Sequence, residues 1–401
     1  MALPAIFIFG VNIVSFTIDF ANFYALFLAI SLTLNFEFGY TGIPNFGKVL
    51  FVAAGAAISG SISGRIAAWA FNINSHGDII TFNAQVITQA NTFISGDALF
   101  AVSIILFSLL LAGTIGATFG YLASYPAIRL REDYLGMLLL AAAQFFQIFL
   151  SGYEPLVGGT QGILVPDPYS YWAGLGTGVR DLVAMLVIGA FAIIVYIYVE
   201  RVARSPLGRT LRALRDNEDA SKALGKDDVA IRKRVLVIAS AISGMAGALL
   251  TFYAGSVGAE TWTRITWTFW PWVIVIIGGA GNNVGVALGA LFFTGILKGI
   301  EQVKFNFQPY LPVDVNWFEY LLFASLLIVI LMVRPEGIIR EKPTSTISKS
   351  TIASIKQSSN TPPGTKVQSV AEIPSVWRQR RSFQALRLWS RKTVSDREPG
   401  E

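Results

Sequence analysis

The chain has 401 residues, a formal charge of +6, 53% hydrophobic and 14% charged side chains, where a soluble domain carries roughly 25% charged. Of its 56 charged residues, 35 are confined to 200–234 and 334–401; the rest of the chain cannot coat itself for water, so this is a polytopic membrane protein. With no cysteine and the single histidine His76, there is no thiol nucleophile, disulfide framework or His metal cluster, and basic residues set between apolar spans fit membrane orientation rather than nucleic acid.

A bilayer core takes about 20 mostly apolar residues per helix. In chain order the apolar runs are a short one at 3–18, then 20–36, 49–70, 99–123, 134–151, 179–199, 235–253, 267–280, 286–303 and 317–333. They predict an all-α, polytopic transmembrane helix bundle of eight to ten helices. Gly and Pro fall inside or beside several runs, so some helices are expected to be broken or re-entrant. No Lys or Arg precedes Lys48, so the basic start of a secretory signal is missing; the side on which residues 1–19 lie stays open.

Lys and Arg concentrate in 124–133, 200–234 and the tail, which hold 25 of the 31, while 71–97, 152–178, 254–263 and 305–316 hold none. That alternation places the basic segments inside the cell and the others outside. It divides the chain into a transmembrane domain over 1–333, with a cytoplasmic loop at 200–234, and a cytoplasmic tail over 334–401. Ser, Thr, Lys and Pro dominate 341–370, too polar a stretch to offset its ordering entropy. Residues 376–392 are basic and carry Trp377, Phe383, Leu386, Leu388 and Trp389. They suit either an amphipathic helix on anionic lipid or, the plainer expectation, a disordered basic tail.

The loop after 200 carries more than orientation charge. Ser205 and Pro206 form an N-cap and first-position pair, Leu207, Leu211 and Leu214 recur at helical spacing, and Gly225 suits a stop. The other faces hold Arg209, Arg212, Arg215, Asp216, Glu218 and Asp219. A solvated positive-inside loop would need neither caps nor a stripe. A docking helix would, its stripe entering a groove on a partner and its charges setting register.

Glycine clusters at 39–47 (GYTGIPNFG), 158–162 (GGTQG) and 278–285 (GGAGNNVG) interrupt apolar runs. The first and third share a pattern and are expected near opposite ends of the bundle, as corresponding breaks in two halves that point to a substrate path. Gly39, Gly42, Asn45, Gly159, Gln161 and Asn282 are the candidate path residues, the amides supplying hydrogen bonds. Close helix packing or ordinary turns explain each cluster taken alone. The isolated ionisable groups Asp19, Glu37, Lys48, Arg65, Lys298 and Glu301 lie mostly near span ends, where they can snorkel. His76 falls in a polar outer loop as a solvated side chain.

Residues 219–225, Asp-Ala-Ser-x-x-x-Gly, match the spacing of the Glu-Ala-Ala-x-x-x-Gly loop of ATP-binding cassette importer permeases. SPLGRTLRALRDNEDASKALG at 205–225 and ISGMAGALLTFYAG at 242–255 resemble the branched-chain amino acid permease family, of the LivM rather than the LivH type. LNFEFGYTGIPNFGKVLFVAAGA at 34–56, YPAIRLREDYLGMLLLAAAQ at 125–144, VGGTQGI at 157–163, IGGAGNNVGVALGA at 277–290 and RPEGI at 334–338 agree, in the family's order. Asp219 and Ser221 replace the usual Glu and second Ala, and no Pro follows Gly225 at the usual distance. The long tail and the 71–97 loop are not family hallmarks.

The resemblance implies one membrane subunit of an ATP-driven amino acid importer, non-catalytic and cofactor-free. Its implied partners are a second related permease, two cytoplasmic ATPases and an external substrate-binding protein. It also implies that the 205–225 helix couples to the ATPases through Arg209, Arg212, Asp216, Glu218, Asp219 and Gly225. The chain has no phosphate-binding G-x-x-x-x-G-K-[ST] loop; Gly278-Gly279-Ala280-Gly281 lacks the Lys and suits helix packing. Two alternatives stay open. A permease for a sugar or urea would share these features, and a gradient-driven carrier would need ionisable groups deep in its spans but no docking helix. A membrane enzyme lacks a recognisable acidic, Cys or His constellation.

Overall fold

The computed structural model describes residues 7–8, 11–73, 78–130, 132–176, 178–307, 315–334 and 336–341. Helix α1 (Ile13–Leu34) starts where the Asn12 side chain accepts from the Val14 amide, and it runs on through a π-helical turn at Asn35–Gly39. After a break comes α2 (Lys48–Ala70), followed by the short α3 (Asn83–Ile94), α4 (Ala98–Arg129) and α5 (Glu132–Gly152). The small α6 (Glu154–Val157) and α7 (Ser170–Ala173) precede α8 (Val179–Arg204), then α9 (Pro206–Asp216), α10 (Glu218–Ala223) and α11 (Asp228–Ala254). A second π-helical turn, Ile265–Phe269, leads into the short α12 (Trp270–Gly278); α13 (Asn283–Phe307) and α14 (Val315–Val333) complete the bundle.

Among the described residues seven helices are long and apolar enough to cross a membrane, and two shorter apolar helices, Ile265–Gly278 and Tyr320–Val333, accompany them. The protein is thus an all-α polytopic membrane protein with interrupted passes. Of the run at 3–18, residues 13–18 belong to α1. Strand β1 (Phe7–Ile8) pairs antiparallel with β2 (Val11–Asn12), and Asn12 caps α1, so the helix begins at Ile13 and absorbs the second half of that run. Residues 342–401 and His76 lie outside the described residues.

Composition sets which helices are central. The apolar window of α2 is 78% buried, against 28% for α4, α5 and α8. Small residues make this possible: α11 passes between α2 and α4 with backbones in contact. A Cβ on Gly55 would stand 2.2 Å from the Gly244 carbonyl oxygen, and one on Gly116 2.5 Å from that of Ser240. Such small-residue seams are how helices associate where lipid removes the hydrophobic drive between them. The outer helices instead expose Leu110, Phe145, Ile148 and Ile194, apolar surface that a bilayer accepts and water would not.

At one end of the bundle β3 (Ile163–Leu164) pairs with β4 (Ser256–Val257) beside α3, whose Asn83 side chain bonds both backbone groups of Leu164. At the other end lie α9, α10, the 40–47 break and the 279–282 turn. Residues 336–341 pack back against α12 at this end.

Candidate functional site

The loop between α8 and α11 is built by local capping. Ser205 Oγ accepts from the Gly208 amide with Pro206 in the first turn. The predicted single helix over 205–225 is two. Asn217 leaves helical geometry at φ −159°, ψ 104°, and its side chain caps α10 by accepting from the Ala220 amide at 2.9 Å. Gly225 follows α10 in the left-handed region at φ +73°, the stop expected of it. Replacing Asn217 by Ala removes that cap and costs about 1 kcal/mol locally; faster amide exchange confined to 218–224 is the expected readout.

The apolar stripe turns inward. Leu211 and Leu214 are buried under the chain's own helices, and only Leu207, 44% exposed, reaches solvent. The expectation that the stripe enters a partner's groove is therefore corrected: it fixes α9 to its own bundle. What faces out is Arg209, Asp216, Asp219 and Gly225, with Leu224 at 79% exposure.

Two of the six coupling candidates are internal struts. Glu218 pairs with Lys222 and with Arg232 of α11, each at 2.6 Å. The Lys222 ammonium, and then Arg232, hold its carboxyl below the usual carboxylate range. This contribution is present at neutral pH and fades as pH falls through the depressed value. Arg212 donates to Glu341 at 2.9 Å and to the Ala203 carbonyl at 3.3 Å, with its guanidinium 5.0 Å from the Tyr40 ring centre.

The first and third glycine clusters meet, where sequence spacing set them at opposite ends. Asn35 Nδ2 donates to Asn283 Oδ1 at 2.9 Å, while Asn35 Oδ1 accepts from the Gly281 amide at 2.8 Å. A Cβ on Gly39 would stand 2.5 Å from the Gly281 nitrogen. Asn283 in turn donates to Glu200 at 2.8 Å. Gly42, at φ +77°, packs against Arg215, whose guanidinium also donates to the Gly39 carbonyl. Asn282 caps α13, accepting from the Val284 and Gly285 amides and donating to the Arg340 carbonyl.

Across the first break, Lys48 and Glu37 pair at 2.7 Å with both side chains 0% exposed. Asn45 donates to both Glu37 oxygens at 3.1 Å and accepts from the Gly47 amide. Trp272 donates to the Asn45 carbonyl at 3.1 Å. These two charges do not snorkel, because the break folds them into protein. Lys298 is likewise paired, with Asp19 at 2.9 Å and Glu301 at 2.8 Å, 3.6 Å over the Phe23 ring. Arg65 donates to the Ser61 carbonyl at 3.0 Å and to the Pro155 carbonyl.

The second cluster lies at the α3 end. Gly158, Gly159 and Gly162 all have positive φ, and Gly162 packs against Val257 and Gly258. Gln161 lines a cavity of about 400 Å3 with Thr81, Ser256 and Glu260. The six path candidates therefore fall into two groups, Gly39, Gly42, Asn45 and Asn282 at the α9 end, Gly159 and Gln161 at the other. The amides of Asn45 and Asn282 are already engaged in the turns they build. Sequence reading did not find Glu341, Glu200, Asn35, Tyr40 or Trp272 as parts of this end. The only signal available was a polar residue inside an apolar run at 35 and the RPEGI motif just before Glu341.

A family model described as branched-chain amino acid transport system / permease component matches residues 16–331. The chain is 37% identical over 325 residues to a probable branched-chain amino acid transport permease protein LivM of Methanocaldococcus jannaschii, covering 80% of this chain and 93% of that protein. It is 28% identical over 250 residues to the high-affinity branched-chain amino acid transport system permease protein LivM of Escherichia coli, 57% of this chain and 56% of the relative. To LivH of Escherichia coli it is 22% identical over 242 residues, 58% of this chain and 74% of the relative. No solved structure matches the chain.

Proposed function

Because the chain belongs to the branched-chain amino acid transport permease family, we propose that it is a membrane-spanning subunit of an ATP-binding cassette importer for branched-chain amino acids. Its partners are two cytoplasmic ATPases, a second related permease and an external substrate-binding protein. The α9 end is cytoplasmic, as the Lys and Arg of 200–234 require, and the 334–401 tail lies on the same side. The chain itself carries no chemistry. It supplies a path that alternates between two openings while ATP is hydrolysed elsewhere.

The observation that carries this reading is the construction of α9 and α10. Leu211 and Leu214 fasten α9 beneath, and Arg215 reaches the first break, while an edge of Arg209, Asp216, Asp219 and Leu224 is left exposed. A solvated loop has no use for such a base. A lever that must pass a push from an ATPase to the interrupted passes needs a rigid attachment on one side and a docking edge on the other. Closure of the ATPases then rocks α1 and α2 against α12 and α13 as rigid bodies. Gly39, Gly42, Asn45 and Asn282 form the inner closure of the path, and Gly159 and Gln161 form its outer mouth. A gradient-driven carrier is the weaker account, since the buried Glu37 and Lys48 are spent on each other and Lys298 is spent on Asp19 and Glu301.

The cysteine-free chain allows a direct test in native membranes with the ATPases co-expressed. Asp219→Cys and Leu224→Cys are expected to crosslink to an ATPase carrying a matching cysteine, with a yield that changes on adding nucleotide. Arg212→Cys, turned inward, is expected not to. No crosslink from either outward position, together with leucine uptake that persists without ATP, would sink the reading.

A further inference from the structure

The chain does not leave the bundle at the end of α14. Gly337, at φ +75°, turns it back. The Ile338 amide then donates to the Ile277 carbonyl at 2.8 Å and the Ile339 amide to the Gly278 carbonyl at 3.1 Å. Asn282 holds the Arg340 carbonyl at 3.0 Å. Residues 336–341 are thus a strap laid across the gap between α12 and α13.

Glu341 ends the strap at a junction of three parts. One carboxylate oxygen accepts from Arg212 Nε at 2.9 Å, the other from Arg215 Nη2 at 2.8 Å. The carboxyl group lies over Gly281, so close that a Cβ there would come within 2.8 Å of its carbon. Arg215 continues to Gly39 and Gly42 in the first break. One side chain therefore joins α9, the break after α1 and the turn before α13.

We propose that Glu341 is the positioning residue through which α9 sets both interrupted passes, the Arg212–Glu341–Arg215 bridge being the latch that closes the path at the α9 end. The inference rests on α9 receiving the push of an ATPase. Apolar contact is non-directional, so Leu211 and Leu214 hold α9 down without fixing where it sits along the bundle. Apart from the Glu341 bridge, Arg215 and Arg212 add bonds to neutral acceptors, the Gly39 and Ala203 carbonyls, and a stacking contact of Arg212 over the Tyr40 ring. Two charge-assisted bonds to one planar carboxylate do fix it.

The latch is also built to open. Arg215 keeps Asp216 at 3.1 Å and Arg212 keeps the Ala203 carbonyl, so neither guanidinium is stranded when Glu341 moves away. Glu341 itself is partly exposed and can be hydrated in place.

The test uses the complete importer, with the partner permease, ATPases and binding protein, in proteoliposomes, and reads leucine taken up per ATP hydrolysed. Glu341→Gln keeps the shape and removes the charge. Uptake per ATP is expected to fall about tenfold while the complex remains assembled, Glu341→Asp recovering part of the ratio. In Arg212→Cys/Glu341→Cys, joining the pair with a reducible bifunctional thiol reagent is expected to arrest uptake, and reduction to restore it. An unchanged ratio in Glu341→Gln overturns the proposal, whether uptake is normal or falls in step with ATP use and protein amount. So does a bridged pair that transports at the unbridged rate. The Leu224→Cys crosslink keeps the two ideas apart: if it forms and the ratio is unmoved, the latch alone is wrong.

Discussion

Lys48→Met alone is expected to leave little folded protein, and adding Glu37→Leu to bring most of it back. Both side chains are fully buried and 2.7 Å apart, so the single change strands a carboxylate in the protein interior. Removing one partner of such a pair costs about 3–5 kcal/mol, a large part of the roughly 5–15 kcal/mol that separates a native protein from its unfolded state. Replacing both charges by apolar groups removes the stranded charge. What remains is Asn45, which loses the two bonds to Glu37 and keeps an unpaired amide worth about 1–3 kcal/mol. The order of thermal stability in detergent should be parent, double variant, Lys48→Met. If Lys48→Met melts with the parent, the pair is hydrated and the break is not the sealed element described above.

The same pair shows what the sequence could and could not disclose. Hydropathy alone locates the spans, because a run of apolar residues long enough to cross lipid is a one-dimensional signal. The LivM-type stretches supply the family for the same reason, each being a contiguous string. The pairing of Glu37 with Lys48 is not such a signal. The two are eleven positions apart across a break, and no helical or strand periodicity relates them. Read singly, each looks like a span-end charge free to reach water.

The glycine clusters fail in a related way. The patterns at 39–47 and 278–285 are visible in the sequence. Their distance along the chain suggested distance in space, yet α1 and α13 pack together and Asn35 bridges the two breaks directly. The α9 stripe was legible as a stripe, but its direction was not: an amphipathic helix on a membrane protein can face its own bundle or a partner with the same sequence. Asn217 did carry a usable sign. Asn followed by Glu218 and Asp219 is an N-cap with acids in the first turn, which marks the start of a second helix.

Gly247→Ala and Gly189→Ala make the same chemical change in two membrane helices and are expected to move stability in opposite directions. A Cβ on Gly247 would stand 2.1 Å from the Val52 carbonyl oxygen and 2.9 Å from its carbon, backbone atoms of α2 that cannot turn aside. The helices must part, at an overpacking cost of about 3 kcal/mol or more. The gain in helix propensity of about 1 kcal/mol does not recover this. At Gly189 in α8 nothing lies within 4 Å of the added carbon, so the propensity gain stands alone and the variant should melt slightly above the parent. The loss at Gly247 also has a functional side, because α11 follows α10 directly in the chain and Arg232 ties the two. A displaced α11 moves the docking edge with it, and uptake is expected to fall further than the amount of folded protein. Equal melting of the two variants would mean that α2 and α11 are not in backbone contact, and the small-residue seam would lose its place as the centre of the bundle.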